Sequence, residues 1–541
     1  MAPRIGAWIL FCGLMVGCGE TPEETRTETP PPEPAPAEPA APVAPTQYGE
    51  VRGTVEDGIA VFKGIRYGTD TASTRFMAPQ PPAPWTDVKD ALAYGDSARQ
   101  IPTGSGGGLF VSWAATPTPA LSEDCLFLNV WTPAVGDGGK RPVMVWFHGG
   151  GFSSGSGSSA AYDGVRLAKR GDVVVVTVNH RLNIFAHLYL GDYGEKFVDS
   201  GNAGILDLVQ SLEWVRDNIA EFGGDPNNVL IFGESGGGAK VSVLMAMDAA
   251  NGLFHRAVVQ SGPRLTNVAR GAAAEGAKAV VAELGLTGET IDQILTMPPE
   301  QIELAGRNVV EAGTPAAWSG PVNDGKNFTR DPFDPDAPAQ SKDVPLLIGT
   351  TRTEMSLLAG ARRPELFDLT WETLPAALAE TMPKADVPAL VSGYRELHPD
   401  IDAPELYFTA LTDAGFLRNS IKLADRKAAQ GGAPVYFYLF NWDTPVAGGK
   451  WRSPHALEIG FVFDNVAKSE SMSGVGPDQQ KLADMMSQAW IAFARTGNPN
   501  NPALPQWAPY TAAERAMMVV DLTPELVNDP HRKQLALLGE E

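Results

Sequence analysis

Ser235 lies in the segment Asn228-Val-Leu-Ile-Phe-Gly-Glu-Ser-Gly-Gly-Gly238. An apolar, strand-like run from Val229 to Phe232 meets Gly233-Glu-Ser-Gly-Gly237, and a helix-compatible run from Ala239 to Met247 follows. A serine in G-x-S-x-G between a strand and a helix sits on a sharp, strained turn that lifts its Oγ clear of the sheet. The glycines two residues either side are needed because a Cβ there would collide with the neighbouring strand or helix. The chemistry such a serine suits is nucleophilic attack on a carbonyl. Its hydroxyl is weak until a base takes its proton, and the base needs an acid to orient it.

On a strand–elbow–helix scaffold the order along the chain is serine, then acid, then histidine. The chain has seven histidines. His148, His180 and His187 precede Ser235 and fail the order. His255 follows too closely to leave room for an acid-bearing strand. His398 reads as a surface turn before Pro399, and His531 as part of a solvated, charged end. His455 remains, in a loop after the buried-type strand Val435 to Phe440, which is where catalytic groups of α/β sheets gather. The acid should also follow a strand. Val344-Pro-Leu-Leu-Ile-Gly349 is such a run, and Glu354 comes just after it. Glu458, three residues from the histidine, is the rival and ranks second. An unperturbed imidazole base would lose activity as pH falls through about 6.5.

Acyl transfer also needs donors aimed at the developing oxyanion. Val143 to Phe147 is a buried-type strand that runs into His148-Gly-Gly-Gly-Phe152. Its glycines let the backbone approach a substrate, so the N–H groups of Gly150 and Gly151 are candidate donors, with that of Gly236 as the third. His148 reads as a brace for this loop. Phe152, Phe110, Trp113, Trp318 and Phe416 are candidates for an apolar substrate pocket.

These and further ordered segments resemble the type-B carboxylesterase family, which includes carboxylesterases, cholinesterases and lipases. Phe62-Lys-Gly-Ile-Arg-Tyr67, Arg75-Phe-Met-Ala-Pro-Gln-Pro81 with Trp85, Glu123-Asp-Cys-Leu-Phe-Leu-Asn-Val-Trp-Thr-Pro133, Gly201-Asn-Ala-Gly-Ile-Leu-Asp207 and Pro321-Val-Asn-Asp-Gly325 carry the resemblance, from about Val51 to about Tyr510. It implies an α/β-hydrolase fold and hydrolysis of carboxylic esters. The family's serine, glutamate and histidine fall on Ser235, Glu354 and His455, and its oxyanion donors on Gly150, Gly151 and Gly236. Gly236 stands where alanine is usual, and Met355 where glycine usually follows the acid. His180, Asn183, Ala186 and His187 depart from the family's N-Y-R-x-G-x-x-G-F and bear on local packing. In many members the cysteine matching Cys125 pairs with one upstream. Here that position is Ala98, which implies a buried free thiol.

The expected fold is therefore α/β: a large, mostly parallel central sheet with helices on both faces. Helical insertions, mainly 266–307 and 367–427, would form a cap. Three parts are expected along the chain. Residues 1–17 read as a signal peptide, with an apolar run from Ile5 to Val16 too short to span a bilayer. Leu14-Met-Val-Gly-Cys18 resembles a bacterial lipobox, which would make Cys18 the lipidated N-terminus and anchor the enzyme to a membrane, the outer one by the absence of an acidic residue at Gly19. An ordinary cleaved signal is the alternative. Residues 18–46 are dominated by Pro, Ala, Thr and Glu and read as an extended tether. Residues 47–541 form one hydrolase domain of about 490 residues.

A formal charge of -22 argues against nucleic acid as a partner. No metal-ligand cluster, Walker loop or dinucleotide fingerprint is present, so neither metal nor cofactor is expected. The expected partners are a small-molecule ester and, through Cys18, a membrane. The competing class is a non-catalytic binding protein, since the family includes adhesion members that lack the serine. A lipase or a specialised esterase is the nearer alternative.

Overall fold

The computed structural model describes residues 17, 19, 41–100 and 120–539. Cys18, Phe110 and Trp113, the expected signal segment and most of the expected tether lie outside the described residues.

The expected tether runs through Thr46, but the folded body begins earlier. Val43–Thr46 is a strand, antiparallel to Gly49–Arg52. The Thr46 hydroxyl donates to the Gly49 carbonyl at 2.7 Å and closes the turn between them. Local turn chemistry overrides the Pro/Ala-rich composition of this stretch.

The central sheet has eleven strands among the described residues. In chain order they are β1 Thr54–Glu56, β2 Ile59–Arg66, β3 Phe127–Thr132, β4 Arg141–Phe147, β5 Val174–Val178, β6 Gly224–Glu234, β7 Arg256–Gln260, β8 Leu346–Thr351, β9 Val435–Phe440, β10 Ala516–Val520 and β11 Glu525–Asn528. Across the sheet they run β11-β10-β9-β8-β7-β6-β4-β5-β3-β2-β1. From β10 through to β5 every pairing is parallel, and the pairings beyond at both ends are antiparallel.

Both faces of the sheet are covered, which is why its central strands read as continuous apolar runs. In β4, Val143, Val145 and Phe147 join one core with Leu208, Leu212 and Val215 of the helix Ala203–Asn218. Met144 and Trp146 point the other way, into a second core with Leu482, Met486 and Trp490 of the helix Pro477–Thr496. Alternation along the strand assigns the two sets. The expected insertions are helical. Arg270–Glu283 and Pro299–Glu311 lie between β7 and β8. Leu374–Thr381, Val387–Leu397, Ala403–Thr412 and Arg418–Ala429 lie between β8 and β9.

The carboxyl ends of the parallel strands deliver the candidate site. β4 ends just before His148, β6 just before Ser235 and β8 shortly before Glu354, and β9 opens the loop that carries His455. That edge is where open α/β sheets bind ligands.

Candidate active site

Ser235 stands between β6 and the helix Gly236–Leu244 at φ 57° and ψ -122°. A side chain held at positive φ is strained, and the surroundings hold it there. Its N–H donates to the Gln260 carbonyl at 2.8 Å, tying the elbow to β7. The flanking glycines are needed for close approach. A Cβ on Gly233 would come within 2.6 Å of the Gly237 carbonyl carbon and of the Phe147 oxygen.

Glu354 opens the short helix Glu354–Leu358 and is fully buried. One carboxylate oxygen accepts the Thr351 N–H at 2.8 Å, and the other lies 2.5 Å from His455 Nδ1. The two loops are stitched together beside this contact. Thr353 N–H donates to the Ser453 carbonyl at 3.0 Å, and Ser453 N–H donates back to Thr353 Oγ1 at 2.9 Å. Glu458, the rival acid, is also fully buried but faces elsewhere: its Oε1 accepts from Tyr438 at 3.2 Å and from Gln260 at 3.3 Å.

The other ring nitrogen holds a surprise. His455 Nε2 lies 3.2 Å from Glu234 Oε1, and no hydrogen bond joins the imidazole to Ser235 Oγ among the described residues. Glu234 is the variable residue of G-x-S-x-G, and its sequence position gave no reason to single it out. Catalytic hydrogen bonds are often loose in ligand-free sites and tighten on substrate. Burial pushes the Glu234 carboxyl well above the ordinary value. Burial, then Glu354, pushes Glu458 up to about 7. For His455, burial alone would lower the pKa, but the charges of Glu234, Glu354 and Glu458 outweigh it and raise it to about 9. A base with that pKa would lose activity as pH falls through a value above the free-imidazole 6.5.

On the opposite side lies the glycine loop. Gly150 and Gly151 have φ of 85° and 63°, a region in which a Cβ would be strained. The N–H groups of Gly150, Gly151 and Gly236 donate to no protein acceptor among the described residues, apart from contacts internal to the helix that Gly236 begins. Gly236 replaces alanine for a visible reason: a Cβ there would overlap the Gly151 backbone. His148 braces the loop through Nδ1, 2.8 Å from the Gly149 carbonyl oxygen.

Behind this loop lies a layer of buried basic side chains. Lys240, one turn into the elbow helix, is fully buried and donates to the His148 carbonyl at 2.8 Å. Burial pulls its pKa down to about 7. His148 stacks on His180 with ring centres 5.0 Å apart. Burial first, and then the Lys240 charge, hold both imidazoles well below their ordinary pKa. His187 sits 5.4 Å from Phe152, and burial lowers its pKa to about 3.

Of the remaining pocket candidates, Phe416 lies 5.3 Å from the His455 ring. It is carried by a π-helical segment, Asp413–Leu417, a distortion common at functional sites. Trp318 lines a cavity of about 430 Å³ with Ser153, Ile184 and Val310. Phe152 is buried against the Lys240 layer. His531 corrects the sequence reading: it is buried rather than solvated, because the terminal helix Arg532–Leu537 docks back and leaves its Nδ1 3.9 Å from Asp413. Cys125 is buried and unpaired, and burial pushes its thiol pKa well up, away from the nucleophilic thiolate.

Residues 40–538 match the model of the Carboxylesterase family. The chain belongs to that family. This carboxylesterase is 37% identical over 495 residues to the para-nitrobenzyl esterase of Bacillus subtilis (strain 168), covering 90% of this chain and 96% of that protein. It is 33% identical to the phenmedipham hydrolase of Pseudarthrobacter oxydans over 494 residues, 88% of this chain and 95% of that one. Among solved structures it resembles a carboxylesterase of Geobacillus stearothermophilus, with TM-score 0.78, 36% identity, and coverage of 92% of this chain and 99% of that one. An esterase from Clostridium hathewayi, described as able to hydrolyze aliphatic aromatic polyesters, superposes with TM-score 0.79 at 33% identity, covering 92% and 98%. The carboxylesterase has the α/β-hydrolase fold of these neighbours and is a carboxylic ester hydrolase.

Proposed function

We propose that this carboxylesterase works through an acyl-enzyme on Ser235. The Oγ attacks the ester carbonyl while His455 Nε2 takes its proton, and Glu354 fixes Nδ1 as the donor. The amides of Gly150, Gly151 and Gly236 receive the oxyanion. Collapse breaks the bond to the alcohol oxygen, which takes the proton from His455. A water molecule then repeats the sequence and releases the acid. The observation that carries this reading is the 2.5 Å contact between Glu354 and His455, which joins residues 101 positions apart beside the strained Ser235. Hydrolysis of para-nitrophenyl esters from acetate to palmitate, with Ser235→Ala as the control, tests it. The variant is expected to lose turnover to background while keeping its circular dichroism and melting temperature. Activity retained in Ser235→Ala would end the assignment.

The chain is proposed to be exported, with Cys18 lipidated. Leu14-Met-Val-Gly-Cys18 and the Pro/Ala/Glu-rich stretch after it support this. Cells fed labelled palmitate should mark the wild-type protein and not Cys18→Ser. A wild-type protein that takes no label has an ordinary cleaved signal instead.

A further inference from the structure

A second cavity, of about 960 Å³, lies at the carboxyl edge of the sheet and takes no part in the chemistry of Ser235. Arg352, just past β8, Asn441 and Asp443, just past β9, and Asp521, just past β10, all line it. The helix Ala403–Thr412 adds Glu405 and Thr409, and the docked C-terminal turn adds His531 and Gln534. The carboxyl ends of the strands are where open α/β sheets take ligands, and the volume suits a small molecule.

Four charges in its wall cancel one another. Arg352 Nη1 meets Glu405 and its Nη2 lies 2.5 Å from Asp443. Arg452 Nη2 lies 3.0 Å from Glu405, and 2.8 Å from Asp402 behind it. Three further carboxylates line the cavity with no ion pair among the described residues: Asp400, Asp521 and Glu525. Asp521 accepts only from neutral donors, Asn441 Nδ2 at 3.1 Å and the Leu522 N–H at 2.7 Å. No lysine lines the cavity among the described residues. Burial holds the imidazole of His531 at a pKa of about 4 and lowers that of His398 too, so neither adds a charge at neutral pH. The surplus charge of the wall is therefore negative.

The wall also holds polar atoms without partners. Thr409 and His531 line it and are only 4% and 7% exposed. Thr409 Oγ1 makes no hydrogen bond, although Thr412 bonds its own helix at Phe408. His531 Nδ1 makes none either, with Asp413 out of reach at 3.9 Å. Buried polar atoms are normally paired, and a guest with N–H groups would pair these. Between the polar groups the wall is apolar, with Leu397, Ile401, Leu439, Trp442, Val519 and Val527.

The geometry points to a second ligand site in this cavity, one that takes an organic ammonium ion with an apolar body. The surplus carboxylates receive the ammonium N–H groups in charge-assisted hydrogen bonds, and the apolar wall receives the body. Among the described residues no three His, Cys, Asp or Glu side chains converge as metal ligands, which favours an organic cation over a metal ion. The site adjoins the catalytic loops, since Arg352 is two residues before Glu354 and Arg452 three before His455. It does not depend on the reading of Ser235 as the nucleophile.

Calorimetric titration of the full chain tests it, in about 0.15 M salt, where diffuse attraction is screened beyond about 8 Å. The probe is phenethylammonium, compared with its neutral and anionic counterparts, 2-phenylethanol and 3-phenylpropanoate. The cation is expected to bind at one site per chain, about ten- to a hundredfold more tightly than the alcohol, the scale of one charge-assisted hydrogen bond. The carboxylate should not bind. Asp521→Asn combined with Glu525→Gln should erase the preference for the cation over the alcohol. Glu525→Lys, a reversal at an exposed strand end, should weaken the cation by about tenfold or more. Equal affinity for cation and alcohol in the wild type overturns the inference, as does a cation that does not bind. Cation affinity left unchanged in both folded variants puts the guest elsewhere and overturns it too. Several weak sites per chain would reduce the effect to general attraction by a net charge of -22 and would end the proposal.

Discussion

Two groups of side chains of opposite sign flank Ser235. On the His455 side stand Glu234, Glu354 and Glu458, each at most 3% exposed. On the glycine-loop side stand Lys240 and the imidazoles of His148, His180 and His187, which burial keeps neutral. Acyl transfer moves positive charge onto the base and negative charge onto the carbonyl oxygen. Electrostatic preorganisation is worth most where water is excluded, and Glu234, Glu354, Glu458 and Lys240 are all buried. The two sides differ in construction. The acidic side is built from side chains on three separate segments, the end of β6, the helix after β8 and the loop that carries His455, whereas the cationic side is held by backbone, with Lys240 on the His148 carbonyl and Gly236 against Gly151.

That difference predicts where each side breaks. The largest effect is expected at Gly236→Ala. The added Cβ would overlap the Gly151 backbone, so the glycine loop must retreat from the elbow. Loss of one aligned donor typically costs about 100- to 1000-fold in kcat. The loss should fall on kcat for every ester tried, with the melting temperature little changed. A variant with wild-type kcat would show that the loop yields freely and that the backbone side is not rigid.

Lys240→Met should act less strongly and with a signature in pH. The substitution keeps the length of the side chain, removes the charge and leaves the His148 carbonyl without its donor, at a cost of about 1–3 kcal/mol in stability. Burial holds Lys240 near 7, so the wild-type side chain is charged below that pH and neutral above it. The kcat of the variant is expected to be about tenfold below wild type at pH 6, and the gap should narrow as pH rises through 7. A gap that stays constant across that range would mean that Lys240 serves only to hold the loop.

How much of this was legible before folding follows from the same contrast. The elbow, the glycine loop and the order of acid and histidine are local patterns with obligatory flanks, and Glu354 outranked Glu458 because it follows its own strand. The sheet and its helical insertions were legible in the continuous apolar runs of β4 to β9. The charged layers were not. Glu234 occupies the free position of the motif. Lys240 lies in an otherwise small or apolar run, Gly236 to Leu244, which becomes a helix buried along its whole length. That context was the one available signal that the lysine is interior. Burial of a lone charge is decided by what packs on it from distant segments, and a one-dimensional pattern carries no trace of that. The same holds for His531, buried by a terminal helix that docks back onto Asp413.

Glu234→Gln should have the smallest effect on the maximal rate and the sharpest one on its pH dependence. His455 carries a raised pKa, about 9, because Glu234, Glu354 and Glu458 together outweigh the opposing effect of burial. A base must be deprotonated to act, so kcat/KM should fall as pH drops through a value above the ordinary imidazole 6.5. The glutamine keeps the shape of Glu234 but removes its charge, while Glu354 stays on Nδ1 at 2.5 Å. The acid limb should therefore move down, by about one pH unit for the loss of one adjacent charge. Profiles of kcat/KM on para-nitrophenyl acetate from pH 5 to 10 would show it. Superimposable limbs would mean that burial keeps Glu234 protonated throughout, so that Glu354 and Glu458 set the base. The acidic side would then carry its charge at those two carboxylates, and the contrast between the two sides of Ser235 would narrow.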